Sequence, residues 1–145
     1  MNDKDTYAVK MVDRMLETDY FSQWLKIAVL DIKDGYSKIQ MTVRKEMLNG
    51  FGIAHGGIAF SFADSAFAFA CNSDGRTTVA LDTSISFTKA AKENDVLTAE
   101  AKKLNKTNRT GLYLVEIRNQ HDELVALFKG TCYTPKQLAV EGRGS

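Results

Sequence analysis

The sequence predicts an α+β domain in which a curved antiparallel sheet wraps around one central buried helix, with an extra helix at the N-terminus. Three observations predict it. Residues 58–71 form a run that is almost wholly small, apolar or aromatic, with Asp64 its only ionisable side chain before Cys71. Several later segments alternate apolar and polar residues with the period of two that strands require, and turn-forming residues separate them. Ahead of both lies a stretch with the spacing of an amphipathic surface helix.

Each element follows in order. Tyr7, Ala8, Met11, Val12, Met15 and Leu16 recur at helical spacing, with Lys10, Asp13 and Arg14 between them. Tyr20, Phe21, Trp24 and Leu25 form an aromatic cluster, read as a short turn packed on the core. A strand over 27–32, the Asp34-Gly35 turn and the alternation of Ile39, Met41 and Val43 with Lys38, Gln40 and Thr42 make a hairpin. Residues 45–54 are a loop containing Asn49-Gly50 and Gly52. The apolar run comes next. A helix without a polar face is expected to be buried on every side. At about 1.5 Å per residue it crosses a small domain, yet it falls short of the roughly 18 residues a membrane span needs. It stops at Asn72-Ser73-Asp74-Gly75. Four strands, at 79–87 and about 95–104, 112–119 and 124–133, read as a meander with turns at 108–111 and 120–122. The chain thus divides into an N-terminal helix and aromatic turn (1–25), the main domain (26–135) and a tail (136–145). One chain does not readily cover such a helix and every strand edge, so self-association to a dimer, and from there to a tetramer, is expected.

Composition narrows the function classes. With 145 residues, 44% of them hydrophobic, the chain has material for one core. A net charge of +1 and the absence of like-charge runs argue against a nucleic-acid or anionic-membrane surface. Cys71 and Cys132 sit in apolar contexts and read as buried thiols, and the charged N-terminus lacks the apolar core of a secretory leader. A cytoplasmic protein is expected. No paired His or Cys-x-x-Cys suggests a metal, and no Gly-rich phosphate fingerprint follows a strand, so no cofactor is expected.

Asp64 is the first residue to explain, since an unpaired carboxylate in apolar surroundings costs several kcal/mol or takes up a proton. It is either a structural acid or a working one. His55-Gly56-Gly57 lies where the loop meets the helix. Glycines there either allow tight packing or let a ligand approach free N–H groups suited to a developing negative charge. Asn49, six residues before His55, and Asp64, two turns beyond the glycines, favour the second reading. His55 reads as an orienter of the loop rather than a general base. Ser61, Ser65 and Ser73 lack a nucleophile elbow or any triad order, and His121 lies in a polar turn. Phe60, Phe62, Phe67 and Phe69 space themselves around the helix as core. Phe60 and Phe67, with Tyr113, are equally candidates to line a pocket near Asp64.

The pattern Asn49-Gly50-x-x-x-x-His55-Gly56-Gly57, the helix Phe60-Ser61-x-Ala63-Asp64-x-Ala66-Phe67-Ala68-x-Ala70-Cys71-Asn72-Ser73 and the later Thr98-Ala99-Glu100-Ala101 resemble the hotdog-fold thioesterases, in particular the PaaI-type subfamily of phenylacetic acid degradation. The resemblance runs from about Met15 to Tyr133. It implies hydrolysis of acyl-CoA thioesters, of aryl-acetyl or alternatively medium or long-chain type, with coenzyme A entering as part of the substrate. In its terms Asp64 attacks the carbonyl or activates water, the Gly56 N–H polarises the carbonyl oxygen, Asn49 positions the attacking group and His55 supports the loop. Gly57 joins the substrate-binding set. The site is shared across a dimer, so Asp64 faces Asn49 and Gly56 of the other protomer. Coenzyme A is expected along Lys89-Ala90 and Arg109-Thr110-Gly111. The chain departs from some relatives at Ile58 and Ala80, where they carry polar side chains, which leaves more of the work to Asp64 and Asn49. Two other classes share the resemblance: a dehydratase, for which His55 is the only candidate base and the proline-bearing loop is missing, and a non-catalytic acyl-CoA sensor, which would need a DNA-binding helix pair.

Overall fold

The computed structural model describes residues 2–136; of the expected tail, 137–145 lie outside them. Helix α1 spans Asp3–Thr18. The Asn2 side chain caps it by accepting from the Asp5 N–H at 2.8 Å, and Asp3 and Asp5 in its first turn suit the positive end of the helix dipole. The aromatic cluster expected as a turn is a short helix, α2 (Tyr20–Trp24), because the Asp19 carboxylate caps it. Strands β1 (Ala28–Lys33) and β2 (Tyr36–Thr42) form the hairpin, with Gly35 at φ 73° in the turn, a conformation that suits glycine. A single 3-10 turn at Lys45–Met47 leads through the loop to α3 (Gly56–Cys71). Strands β3 (Val79–Phe87), β4 (Val96–Lys106), β5 (Thr110–Arg118) and β6 (Leu124–Tyr133) follow.

The six strands form one antiparallel sheet in the order β1-β2-β4-β5-β6-β3. This corrects the expected meander: β3 does not neighbour β4. Helix α3 lies across the inner face of the sheet, so the strand after it emerges at the far edge beside β6, and the chain returns to lay β4 against β2.

The inner face is graded by size to receive the helix. Ala99 and Ala101 on β4 and Gly130 on β6 lie between larger residues such as Ile39, Leu97, Val115 and Ile117. A Cβ at Gly130 would sit 2.7 Å from the Phe67 ring, so the absence of a side chain is what lets Phe67 settle there. Ser37 Oγ donates to the Ala66 carbonyl at 2.6 Å, tying β2 to the middle of α3. Phe62, Phe67 and Phe69 are fully buried, each worth roughly 1.5–3 kcal/mol of transfer free energy.

Within one chain α3 is not covered on every side, as the expectation of self-association supposes. Gly57, Ser61, Asp64 and Ala68, at helical spacing, form a stripe that the rest of the chain covers only in part. Beside the sheet, edge strand β3 leaves Val79, Leu81 and Phe87 50%, 63% and 56% exposed. Among the described residues no helix is long and apolar enough to cross a membrane.

Candidate active site

The loop before α3 is held by its own polar groups. Asn49 Oδ1 accepts from the Phe51 N–H at 2.9 Å and from the Ile53 N–H at 3.4 Å, and the Asn49 N–H donates to the Ile53 carbonyl at 2.8 Å. The His55 N–H reaches the Met47 carbonyl and the Ala54 N–H reaches the Ala91 carbonyl, both at 2.8 Å, which anchors the loop on each side. His55 is the N-cap of α3: its Nδ1 accepts from the Gly57 N–H at 3.0 Å. An accepting Nδ1 carries no proton, so the ring is held as the Nε2–H tautomer. This fits an orienting role and leaves Nδ1 occupied for base chemistry. It also explains why α3 begins at Gly56, two residues before the apolar run.

The two glycines are therefore not equivalent. The Gly57 N–H is taken by His55, whereas the Gly56 N–H meets no acceptor among the described residues. Gly56 faces a groove of about 360 Å³ that it shares with Asn49, Ala54, Phe87, Lys89 and Ala90. The Phe87 ring packs across it, 3.2 Å from where a Cβ would stand. A free N–H at a helix N-terminus, facing a groove, can hold an oxyanion.

Asp64 lies eight residues further along α3, about 12 Å on the helix axis. It is half-buried, and no hydrogen bond or ion pair within the described residues engages its carboxylate. Burial, and after it the neighbouring Asp19 carboxylate, push the Asp64 carboxyl above its ordinary value. It has the properties of a working base or nucleophile: basic, partly desolvated and unengaged. Within one chain it does not meet Gly56 and Asn49.

The remaining candidates separate into two groups. Phe67 and Tyr113 are core, each 1% exposed and in edge contact with each other at 5.7 Å between centroids, so neither lines a pocket. Gly130 explains this, since it opens the space that Phe67 fills. Phe60 is only half-buried, with its ring edge-on to Phe128 at 5.5 Å. Gly57 is exposed at the start of the open stripe. Of the segments expected to take coenzyme A, Lys89 and Ala90 border the Gly56 groove, but Arg109, Thr110 and Gly111 lie at the other end of the sheet. Thr110 pairs with Tyr133, which pairs with Val79, so the two segments flank opposite ends of the nine-residue β3. A larger hollow of about 530 Å³ on the outer face is lined by Thr98 and Glu100 of the later motif, with Lys38, Glu116 and Arg118, and contains none of the candidate catalytic, substrate-binding or coenzyme A residues.

Sequence reading missed the chain of polar groups that runs from α2 to Ser65, the residue after Asp64. Asp19 and Ser22, three residues apart at the start of an aromatic segment, have the spacing of a helix N-cap and its partner, and that signal was there to be read.

Residues 51–126 match the thioesterase superfamily. The chain belongs to that family. It is 44% identical over 130 residues to a candidate esterase of Archaeoglobus fulgidus, covering 90% of this chain and 84% of the relative. It is 42% identical over 116 residues to the acyl-coenzyme A thioesterase PaaI of Escherichia coli, covering 80% and 83%. The structure of that PaaI protein, from the phenylacetic acid degradation operon, superposes with a TM-score of 0.89 at 38% identity over 90% of this chain and 95% of that one. A hypothetical thioesterase of Streptococcus pneumoniae, solved with coenzyme A, gives 0.74 at 30% identity over 77% and 87%. The protein is a hotdog-fold thioesterase, a thioester hydrolase.

Proposed function

We propose that this thioesterase hydrolyses aryl-acetyl thioesters of coenzyme A, such as phenylacetyl- or hydroxyphenylacetyl-CoA, to the free acid and CoA, in sites shared between two protomers in the cytoplasm. The observation that carries the reading is the inequality of the glycines: His55 consumes the Gly57 N–H and leaves that of Gly56 open beside Asn49 in the groove. The Gly56 N–H receives the carbonyl oxygen as it gains charge. Asp64 supplies the electron pair, either by attacking the carbonyl carbon to give an acyl–Asp64 anhydride that water then hydrolyses, restoring the carboxylate, or by drawing a proton from the attacking water. Either way the C–S bond breaks, the CoA thiolate leaves and takes a proton, and water's oxygen ends in the acid. Asn49 orients the attacking group. The aryl preference is supported by the likeness to the E. coli PaaI protein and by half-buried Phe60 on the same helix as Asp64.

Sharing the site answers the separation of its parts. If the exposed β3 edges of two chains pair antiparallel, the Phe87 end of one lies beside the Val79 end of the other. Lys89-Ala90 of one protomer and Arg109-Thr110-Gly111 of its partner then flank one groove, and each Asp64 stripe faces the other chain. The same pairing covers Val79, Leu81 and Phe87. A second pairing of dimers gives the tetramer.

CoA release measured over acetyl, long-chain, phenylacetyl and hydroxyphenylacetyl thioesters tests the substrate. The expected optimum is at the aryl-acetyl members, and an optimum at long straight chains would replace them. Light scattering alongside tests the sharing: a fully active monomer at micromolar concentration refutes it.

A further inference from the structure

Helix α2 is fastened to α3 by a chain of short hydrogen bonds that the reaction described above does not use. Asp19 accepts from the Ser22 N–H at 3.0 Å and from Ser22 Oγ at 2.6 Å. Ser22 Oγ lies 2.8 Å from Ser65 Oγ, and Ser65 directly follows Asp64 on α3. Because Ser22 spends its proton on Asp19, Ser65 is the donor in the second bond, and the chain runs Ser65 to Ser22 to Asp19. Both serines are buried, at 1% and 9% exposure, so each hydroxyl depends on this one arrangement for its partner.

We propose, resting on the thioesterase reading, that Asp19 is a positioning residue for the Asp64 reaction: through Ser22 and Ser65 it fixes the turn of α3 that bears Asp64, and it sets a negative charge beside that carboxylate. Position follows from the bonds, since a helix turn pinned at Ser65 holds its neighbour in one orientation. The charge acts on reactivity. Asp19 is the one charged group bearing on Asp64 among the described residues, and it works in the same direction as burial; Cys71, farther along α3, lies within reach of Asp64 but is a neutral thiol. A carboxylate beside a like charge holds a proton more readily, which is what drawing one from water requires. The N-terminal segment is thereby part of the catalytic apparatus rather than an appended cover.

The test compares Asp19→Asn, Asp19→Glu, Ser22→Ala and Asp64→Asn in the full chain, with phenylacetyl-CoA across the acid limb of the pH profile. Asp19→Asn retains an oxygen to cap α2 but no charge. Its acid limb in kcat should move to lower pH by roughly 0.5 unit, the order of a like-charge interaction through a high dielectric, with kcat lowered several-fold and KM unchanged. Asp19→Glu should keep the limb near the wild-type position. Ser22→Ala, which cuts the hydroxyl link to Ser65 but leaves the backbone N–H on Asp19, should lower kcat several-fold with KM unchanged and the limb near the wild-type position, and it tests the positioning if Asp19→Asn does not fold; unchanged kcat in folded Ser22→Ala would overturn it. An unchanged limb and unchanged kcat in folded Asp19→Asn, with Asp64→Asn inactive in the same assay, would overturn the proposal and leave the chain as a structural brace. Wild-type turnover in Asp64→Asn is a different result: it overturns the thioesterase reading of the site, and the proposal with it.

Discussion

The two ends of the chemistry that α3 carries are built to different degrees. At its N-terminus everything is in place within one chain: Asn49 closes its loop, His55 caps the helix, and the Gly56 N–H stands open toward a groove. Two turns on, Asp64 stands on a half-covered stripe with no partner for its carboxylate among the described residues, pushed by burial and by Asp19 toward its protonated form. The difference follows from what each group must do. A backbone donor works only when rigid geometry points it, so the loop is finished locally. In the proposed reaction a carboxylate works by being basic and unengaged, and its open surroundings suit completion by a second chain and a substrate.

The largest expected effect tests the unfinished end. Asp64→Asn should lower turnover by roughly 10²–10⁴-fold while KM changes far less, measured by CoA release. Its stability should rise. The folded protein holds the Asp64 proton more tightly than the unfolded chain does, so ionising Asp64 costs stability as pH climbs from the ordinary carboxylate value toward the raised folded one. The uncharged amide of the variant has no such loss. The melting-temperature gap between variant and wild type should open with rising pH across that interval and close below it. A variant that melts lower but turns over normally would show Asp64 to be structural and end the comparison.

Next in size is the contrast between two aromatic residues of α3. Phe67→Ala should cost about 3–5 kcal/mol in denaturant unfolding, as a fully buried ring over Gly130. Phe60→Ala should cost clearly less and shift the preference among acyl groups. Equal costs with unchanged preference would return Phe60 to the core.

The smallest effect tests the finished end. His55→Ala removes the α3 cap and should cost about 1 kcal/mol. It also releases the Gly57 N–H, so the stability loss should come with a modest fall in kcat. A variant of unchanged stability would mean that the cap does not hold the loop.

Much of this was legible in the sequence because it depends on local pattern. The period-two alternation of Ile39-Met41 and Val79–Phe87 marked strands, and the apolar run with a lone Asp64 marked the helix at the centre of the fold. The strand order was not legible: alternation says that a strand has an inner face, not which neighbour it takes, and β3 reaches β6 only because α3 carries the chain across the sheet. That one chain would not cover α3 was legible, but not which residues stay open, since an apolar composition shows that a face avoids water without showing which molecule covers it. Phe67 and Phe60 look alike in sequence; only Gly130, far along the chain on β6, separates a core ring from an accessible one. At the site, the His55-Gly56-Gly57 pattern drew attention to both glycines, but their inequality arises from one hydrogen bond that a pattern does not encode.

The position of β3 also sets a timetable for assembly. Its only strand partner among the described residues is β6, and Val79 pairs with Tyr133, a loop of more than fifty residues that closes late. During synthesis α3 and β3 leave the ribosome well before β6, and the β3 edge has nothing to pair with until the last strand arrives. Phe87, which packs on Gly56, and the following Thr88 and Lys89, whose N–H groups bond to the Val125 carbonyl at 2.9 and 3.3 Å, are fixed by that same late event. The proposed substrate groove is therefore among the last parts of the molecule to form, and a chain released before β6 would hold every proposed catalytic residue without a site to put them in.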